Sequence, residues 1–322
     1  MEPAEALESR GKKTPVIRPS KVFAYGVLFA WLLVVVLPII WIFSNSIRSS
    51  QEIYENSFGL PWLVTGSPYA DRPEVATPAE AAVGNFQNAW TKSNFSTFFF
   101  NSVLVTTISL AGILSFGAMA AYALARFDFR FNRPLYLFFI SGMMVPPQLL
   151  LIPLFFQFST LSRGLTALTR PLGFEVQLHN TLTGLIAIYI ALSLPFTILI
   201  LTGFFKTLPS ALRESAIIDG ASEWTVFLQI MLPLARPGLI TAAIFNFLGI
   251  WNEYLFALVF VNSPENKTLP LGLASVSIQA QYKTDFGLMF AGLVIIMLPT
   301  LLVYLLLQRQ LTKGITVGAL KG

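Results

Sequence analysis

Apolar residues in this chain gather into six long runs, residues 22–43, 98–125, 134–156, 181–205, 238–261 and 286–307, separated by polar segments. Five of these runs contain no Asp, Glu, Lys or Arg, and the run at 238–261 contains only Glu253. At 1.5 Å per residue, a run such as 22–43 rises about 33 Å as a helix, enough to cross a hydrocarbon core of about 30 Å. Helices satisfy their own backbone hydrogen bonds, which lipid demands and water does not. The pattern therefore predicts an all-α polytopic membrane protein with six transmembrane helices. Residues 1–21 form an N-terminal tail, 22–308 the six-helix domain and 309–322 a C-terminal tail. The longest connections are 45–97 after the first span and 206–236 after the fourth. The first run is too long for a signal-peptide core and no convincing small-residue cleavage site follows it, so an uncleaved anchor is expected.

An even number of spans puts both termini on one side, and basic residues resist translocation. If that side is cytoplasmic, 14 of the 21 Lys and Arg residues lie inside, among them Arg126, Arg130, Arg133, Lys206, Arg213 and Arg236. The expected topology is N-in/C-in. The segment 45–97 is then an outer loop, 206–236 is cytoplasmic, and both tails are cytoplasmic.

Composition agrees with the pattern: 55% of the 322 residues are apolar, 11% are charged, and the mean hydropathy is +0.68. The net charge of +5 follows from the inside excess and suits contact with anionic lipid, not nucleic acid. The chain contains no cysteine, which excludes disulfides, thiolate metal sites and cysteine nucleophiles. Its one histidine, His179, falls in the outer loop before the fourth span and is read as a solvated residue; no metal site is expected.

Ion-coupled transporters keep ionisable groups at membrane depth, where they are costly and therefore usually functional. Glu253 would have to carry such a relay alone, so an ion-coupled secondary transporter fits poorly. A phosphate-cradling Gly-x4-Gly-Lys-Ser/Thr loop is also absent. Any ATP-driven transport would need a partner to bind ATP and magnesium, with no cofactor on this chain. A membrane scaffold without transport activity is the other alternative.

A partner of that kind needs a cytoplasmic docking surface. Residues 208–220 read as a short helix with Ser210 as N-cap, Gly220 as stop and Glu214 near the favourable first turn. Ala211, Leu212, Ser215 and Ala216 share one arc, and three of the four are small enough to admit another backbone. The segment looks built to enter a groove.

The loop resembles the EAA motif of binding-protein-dependent ABC importer permeases: Glu-Ala-Ala, three residues, Gly, nine residues, Ile-x-Leu-Pro. Here it runs Glu214-Ser215-Ala216, Gly220, Ile230-Met231-Leu232-Pro233, with Ser215 the single departure. Further likeness points to the carbohydrate-uptake branch, similar to the maltose-type smaller permease. It comprises Asn85-Phe86-x3-Trp90, Asn101-Ser102, Pro146-Pro147-Gln148 with Ile152-Pro153-Leu154, Trp251-Asn252-Glu253-Tyr254, and the Gly-rich tail from Gly314 to Gly322.

The resemblance implies a permease heterodimer with a second homologous subunit. Two ATPase subunits would hydrolyse ATP with magnesium, and a periplasmic or extracellular solute-binding protein would deliver a sugar-like solute. It assigns ATPase coupling to Arg213, Glu214, Ser215, Ala216, Asp219, Gly220, Leu232 and Pro233, and tail contacts with the ATPase to Gly318 and Lys321. Glu214 is expected to orient the loop through charge-assisted hydrogen bonds.

Solute contact is less specific in the residues. Pro146, Pro147, Gln148, Asn246, Asn252 and Glu253 have pathway or structural roles open to them, the in-span amides equally serving as interhelical hydrogen bonds. Pro38, Pro153, Pro195 and Pro299 also fall inside spans, where proline opens a helix. The outer loop is expected to dock the solute-binding protein, with ordered flanks at 56–62 and 85–90 and a disordered insertion at 65–84 as the alternative.

Overall fold

The long helices form wherever the apolar runs leave no other way to satisfy the backbone. The computed structural model describes residues 19–68, 77–173, 175–283 and 285–319. In chain order the helices are α1 (Pro19–Ser46), α2 (Ser50–Asn56), α3 (Trp62–Thr65), α4 (Pro78–Thr91) and α5 (Phe95–Arg126). They continue with α6 (Asn132–Gly142), α7 (Leu151–Thr169), α8 (Leu182–Thr207), α9 (Ser210–Ile218) and α10 (Glu223–Thr225). The last are α11 (Leu232–Leu234), α12 (Arg236–Trp251), α13 (Leu255–Phe260), α14 (Leu269–Lys283) and α15 (Phe286–Ala319). Among the described residues there is no strand.

Five helical stretches are long and apolar enough to cross a membrane, and the bent pair Glu223–Leu234 and Arg236–Trp251, angled by 72°, brings the number to six if it counts as one span. The expected third span is displaced. Its residues 134–156 contain a break, because α6 ends at Gly142 and the chain resumes helically only at Pro147, through the 3-10 turn Pro147–Leu150 into α7. Pro146 and Pro147 cannot donate to a helix that arrives from the N-terminal side. The crossing stretch is Pro147–Leu172, which carries Arg163 and Arg170 toward its outer-loop end.

The fifth expected span, 238–261, is also interrupted. Its helix α12 stops at Trp251, and α13 begins at Leu255. The Glu253 carboxylate accepts the amides of Phe256 at 2.8 Å and Ala257 at 3.2 Å and the Tyr189 hydroxyl at 2.5 Å, so it starts α13 where an unbroken helix was expected. The sixth run continues beyond residue 307, with α15 helical to Ala319 through the glycines of the tail.

The centre is the α5/α8 pair, whose closeness rests on small residues: a Cβ on Gly117 would lie 2.6 Å from the Thr197 methyl, and one on Gly112 2.6 Å from Ile190. Three apolar clusters stack along the bundle. One surrounds Phe95, Trp251 and Leu288 near the outer loop, one Ile113, Leu185 and Phe260, and one Tyr122, Phe205 and Met231 near residues 206–236. α1 stands apart. No residue in its most apolar stretch is buried, and its partner is α15, with Trp41 edge-on to Phe290 at 5.1 Å.

The loop 45–97 is largely helical. Thr77 and Glu80 form a reciprocal capping box at the start of α4, so residues 77–84 are ordered, while residues 69–76 lie outside the described part of the chain. At its base Arg48 and Glu52, 1% and 2% exposed, form a buried ion pair at 2.7 Å. Arg48 also donates to Asn45 Oδ1 at 3.0 Å and the Asn56 carbonyl at 2.6 Å. Glu52 accepts the Trp62 amide, and the Asn85 carboxamide donates to the carbonyls of Ser46 and Arg48. This knot ties the end of α1 to α2, α3 and α4.

His179 departs from the solvated reading: its ring packs edge-on against Phe155 at 5.2 Å, and its Nε2 is buried without a hydrogen-bond partner. It lines an outer cleft of about 560 Å³ with Arg163, Arg170, Gln177 and Asn180.

Candidate coupling site

The segment after α8 is shaped by a proline at one end and a glycine at the other. Leu208 is extended because Pro209 follows it. Pro209, with φ −61° and ψ 132°, is itself the N-cap of α9 and makes no side-chain cap, so Ser210 is the first helical residue and not the cap expected from the sequence. The far end is a Schellman motif. Gly220 adopts φ +85°, its amide donates to the Ile217 carbonyl at 3.0 Å, and the Ala221 amide donates to Ala216 at 2.9 Å. A Cβ at Gly220 meets no atom within 4 Å, so only the left-handed backbone selects glycine here.

The return limb begins with Ser222, whose hydroxyl accepts the Thr225 amide. Short α10 leads into a π-helical turn, Val226–Met231, immediately before Leu232 and Pro233. The wider turn accommodates the missing amide and the ring of Pro233.

This hairpin brings Arg213, Glu214, Ser215, Ala216, Asp219 and Gly220 together, with Leu232 and Pro233 on the return limb. Their exposures differ sharply. Ala216 is the buried residue of α9 and packs into the cluster of Tyr122, Phe227 and Met231. It therefore faces this chain's own core and not the outward arc expected for it. Glu214 lies beyond the first turn, exposed, with no hydrogen bond or ion pair among the described residues, so it does not orient the loop as expected. Ser215, Asp219 and Pro233 are exposed, Leu232 half-buried, and Ile218 is 84% exposed.

The carboxylate that does organise the hairpin is Glu223, which the sequence reading did not single out. Both its oxygens accept from the Arg213 guanidinium, Oε2 accepts the Tyr122 hydroxyl at 3.1 Å, and Arg213 lies over the Phe127 ring at 5.1 Å. This pairing pushes the Arg213 guanidinium above its ordinary value, the hydrogen bond to Glu223 being the largest cause. Arg126, which the sequence placed only among the inside basic residues, donates to the carbonyls of Phe205 at 2.6 Å and Leu208 at 2.7 Å, satisfying the end of α8.

The other named residues lie elsewhere. Pro146, Pro147 and Gln148 occupy the exposed break between α6 and α7. Asn246 is buried and donates to Thr197 Oγ1 and the Ala242 carbonyl, both at 2.8 Å, joining α12 to α8. Asn252 is exposed and donates to the Leu248 carbonyl, and Glu253 caps α13. Gly318 is near the end of α15, and Lys321 lies outside the described residues.

Residues 113–317, which contain the whole hairpin, match the family described as binding-protein-dependent transport system inner membrane component. The chain belongs to this family. The permease is 35% identical over 300 residues to the diacetylchitobiose uptake system permease protein NgcG of Streptomyces coelicolor, covering 92% of this chain and 88% of that one. It is 31% identical to the trehalose transport system permease protein SugB of Mycobacterium tuberculosis, covering 89% and 92%. Its fold is shared with a bacterial ABC transporter involved in the import of the acidic polysaccharide alginate, at a TM-score of 0.71 and 22% identity over 92% of this chain and 99% of that one. The permease is thus a multi-pass inner membrane transport component and not itself an enzyme.

Proposed function

We propose that this permease imports a sugar or sugar-like solute together with a second homologous permease, two ATPase subunits and a solute-binding protein outside the membrane. ATP and magnesium act on the ATPase subunits, and this chain binds neither. The termini and the hairpin 206–236 face the cytoplasm. The uptake of diacetylchitobiose and of trehalose named for its relatives supports the solute class.

The observation that carries the reading is the surface of α9. Glu214, Ser215 and Ile218 face outward, and Leu212 and Ile217 are both 39% exposed, on a hairpin whose inner side is already filled. That surface fits a cleft on an ATPase subunit, and closure of two such clefts moves α9 and switches the bundle between outward-open and inward-open. The engagement of Glu253 with Tyr189 and two amides leaves an ion-coupled relay without a free carboxylate at depth.

The test is purification of the chain from its own membranes. A P-loop ATPase and a second related permease should accompany it, and their absence refutes the reading. In reconstituted complexes Gly220→Val, which must adopt φ +85° at a cost of about 1–2 kcal/mol or more, should hydrolyse ATP without proportional uptake of radiolabelled diacetylchitobiose or trehalose. Full uptake by that variant would exclude the role of the turn.

A further inference from the structure

A lever transmits force only as far as its attachment is stiff, and α9 is poorly held by apolar contact. It has nine residues, a length at which an isolated helix is marginal, and Ala216 alone is buried. Polar contacts fix it instead, and they converge on α5. At the entry, Arg126 holds the carbonyls of Phe205 and Leu208. At the far side, Arg213 forks onto Glu223, Glu223 accepts from Tyr122, and Phe127 lies beneath the guanidinium. Tyr122 and Arg126 are one helical turn apart on α5, and Phe127 is its C-cap. A bidentate guanidinium–carboxylate pair is directional in a way that a lysine contact is not.

We infer that Arg213, Glu223 and Tyr122 form a brace that makes the coupling helix a rigid extension of α5, so that ATPase closure moves this span and the α8 packed on it as one body. Glu223 and Tyr122 are thus positioning residues, and Arg213 works inward on this chain. The inference rests on the coupling role proposed above for α9, but the stiffness of the attachment is measurable without any partner.

The chain contains no cysteine, so an Ile218→Cys, Phe116→Cys pair places spin labels at two exposed sites, one on α9 and one on α5. In the full chain in nanodiscs, electron–electron distance measurement should give one narrow distance. Glu223→Gln should lose it, and Tyr122→Phe, which deletes one hydroxyl and no packing, should widen it in the same sense. The charge exchange Arg213→Glu with Glu223→Arg should restore it, a rescue that a general folding defect would not give. In the complex purified with its ATPase, unlabelled Glu223→Gln should raise hydrolysis without binding protein roughly tenfold, the scale of one lost charge-assisted hydrogen bond, and the exchange should reverse it.

A narrow distance surviving in both Glu223→Gln and Tyr122→Phe overturns the brace. A lost distance with unchanged hydrolysis overturns its role in coupling. If no ATPase accompanies the parent chain, the proposed function fails, while the nanodisc distances still decide whether the brace exists.

Discussion

Replacing Arg48 by Met should unfold the base of the outer loop far more readily than its position suggests. The substitution removes the cation paired with Glu52 at 2.7 Å and the donors that satisfy Asn45 Oδ1 and the Asn56 carbonyl. Glu52, 2% exposed, keeps the Trp62 amide but loses every positive partner. Breaking one side of a buried pair costs about 3–5 kcal/mol, because the remaining charge is stranded away from water. Arg48→Met with Glu52→Leu strands no charge, so it should lose less than Arg48→Met alone, a coupling of about 2 kcal/mol or more. Reversible unfolding in mixed micelles by SDS titration measures both. Tryptophan emission is the natural probe, since Trp41 donates to the Ser57 carbonyl and Trp62 to the pair itself. A loss below about 1 kcal/mol for Arg48→Met, or a double variant equal to the sum of its singles, would refute the reasoning.

Gly184→Ala places a Cβ 1.8 Å from the Leu178 carbonyl oxygen, a backbone atom with little room to move; a loss of about 1–3 kcal/mol is expected in the same titration. Asn246→Leu removes the α12 to α8 hydrogen bond at Thr197 and should cost about 0.6 kcal/mol, the average for such bonds within a membrane, and no more than about 1.7. The Glu80 carboxyl is held below its ordinary value of 4.5 by hydrogen bonds from Thr77. A depressed acid stabilises above its unfolded value and loses that contribution as pH falls through the folded one. Protection factors at the start of α4, from hydrogen exchange corrected for its intrinsic pH dependence, should therefore fall on acidification below pH 4.5, a response that Glu80→Gln should abolish.

The shape of the hairpin 206–236 was largely legible because its signals are local. Gly220 announces a left-handed turn, and the Glu-Ser-Ala spacing is fixed within 20 residues. Its organising pair was not legible. Glu223 lies 10 residues from Arg213 and 101 from Tyr122, and no periodicity joins positions that meet only through tertiary packing. The same limit explains Ser210 and Ala216: a serine before a helix reads as a cap until Pro209 is seen to take that place, and a small residue reads as outward-facing until a core lies under it. The spans were located by apolarity, which is blind to interruptions. Residues 134–156 and 238–261 stay apolar across their breaks; the paired Pro146 and Pro147 signalled a distortion but not a full stop at Gly142, and only backbone geometry shows that Glu253 starts a new helix.

The pairing of α1 with α15 constrains how the protein is made. A ribosome delivers α1 well before α15, so α1 waits in lipid through the synthesis of α2 to α14 before its most extensive neighbour among the described residues arrives. Its uniformly apolar surface suits that wait, since it leaves the early product nothing to hide from the bilayer. A chain halted before residue 286 would leave α1 joined to the bundle mainly through the Arg48 and Asn85 contacts at its end.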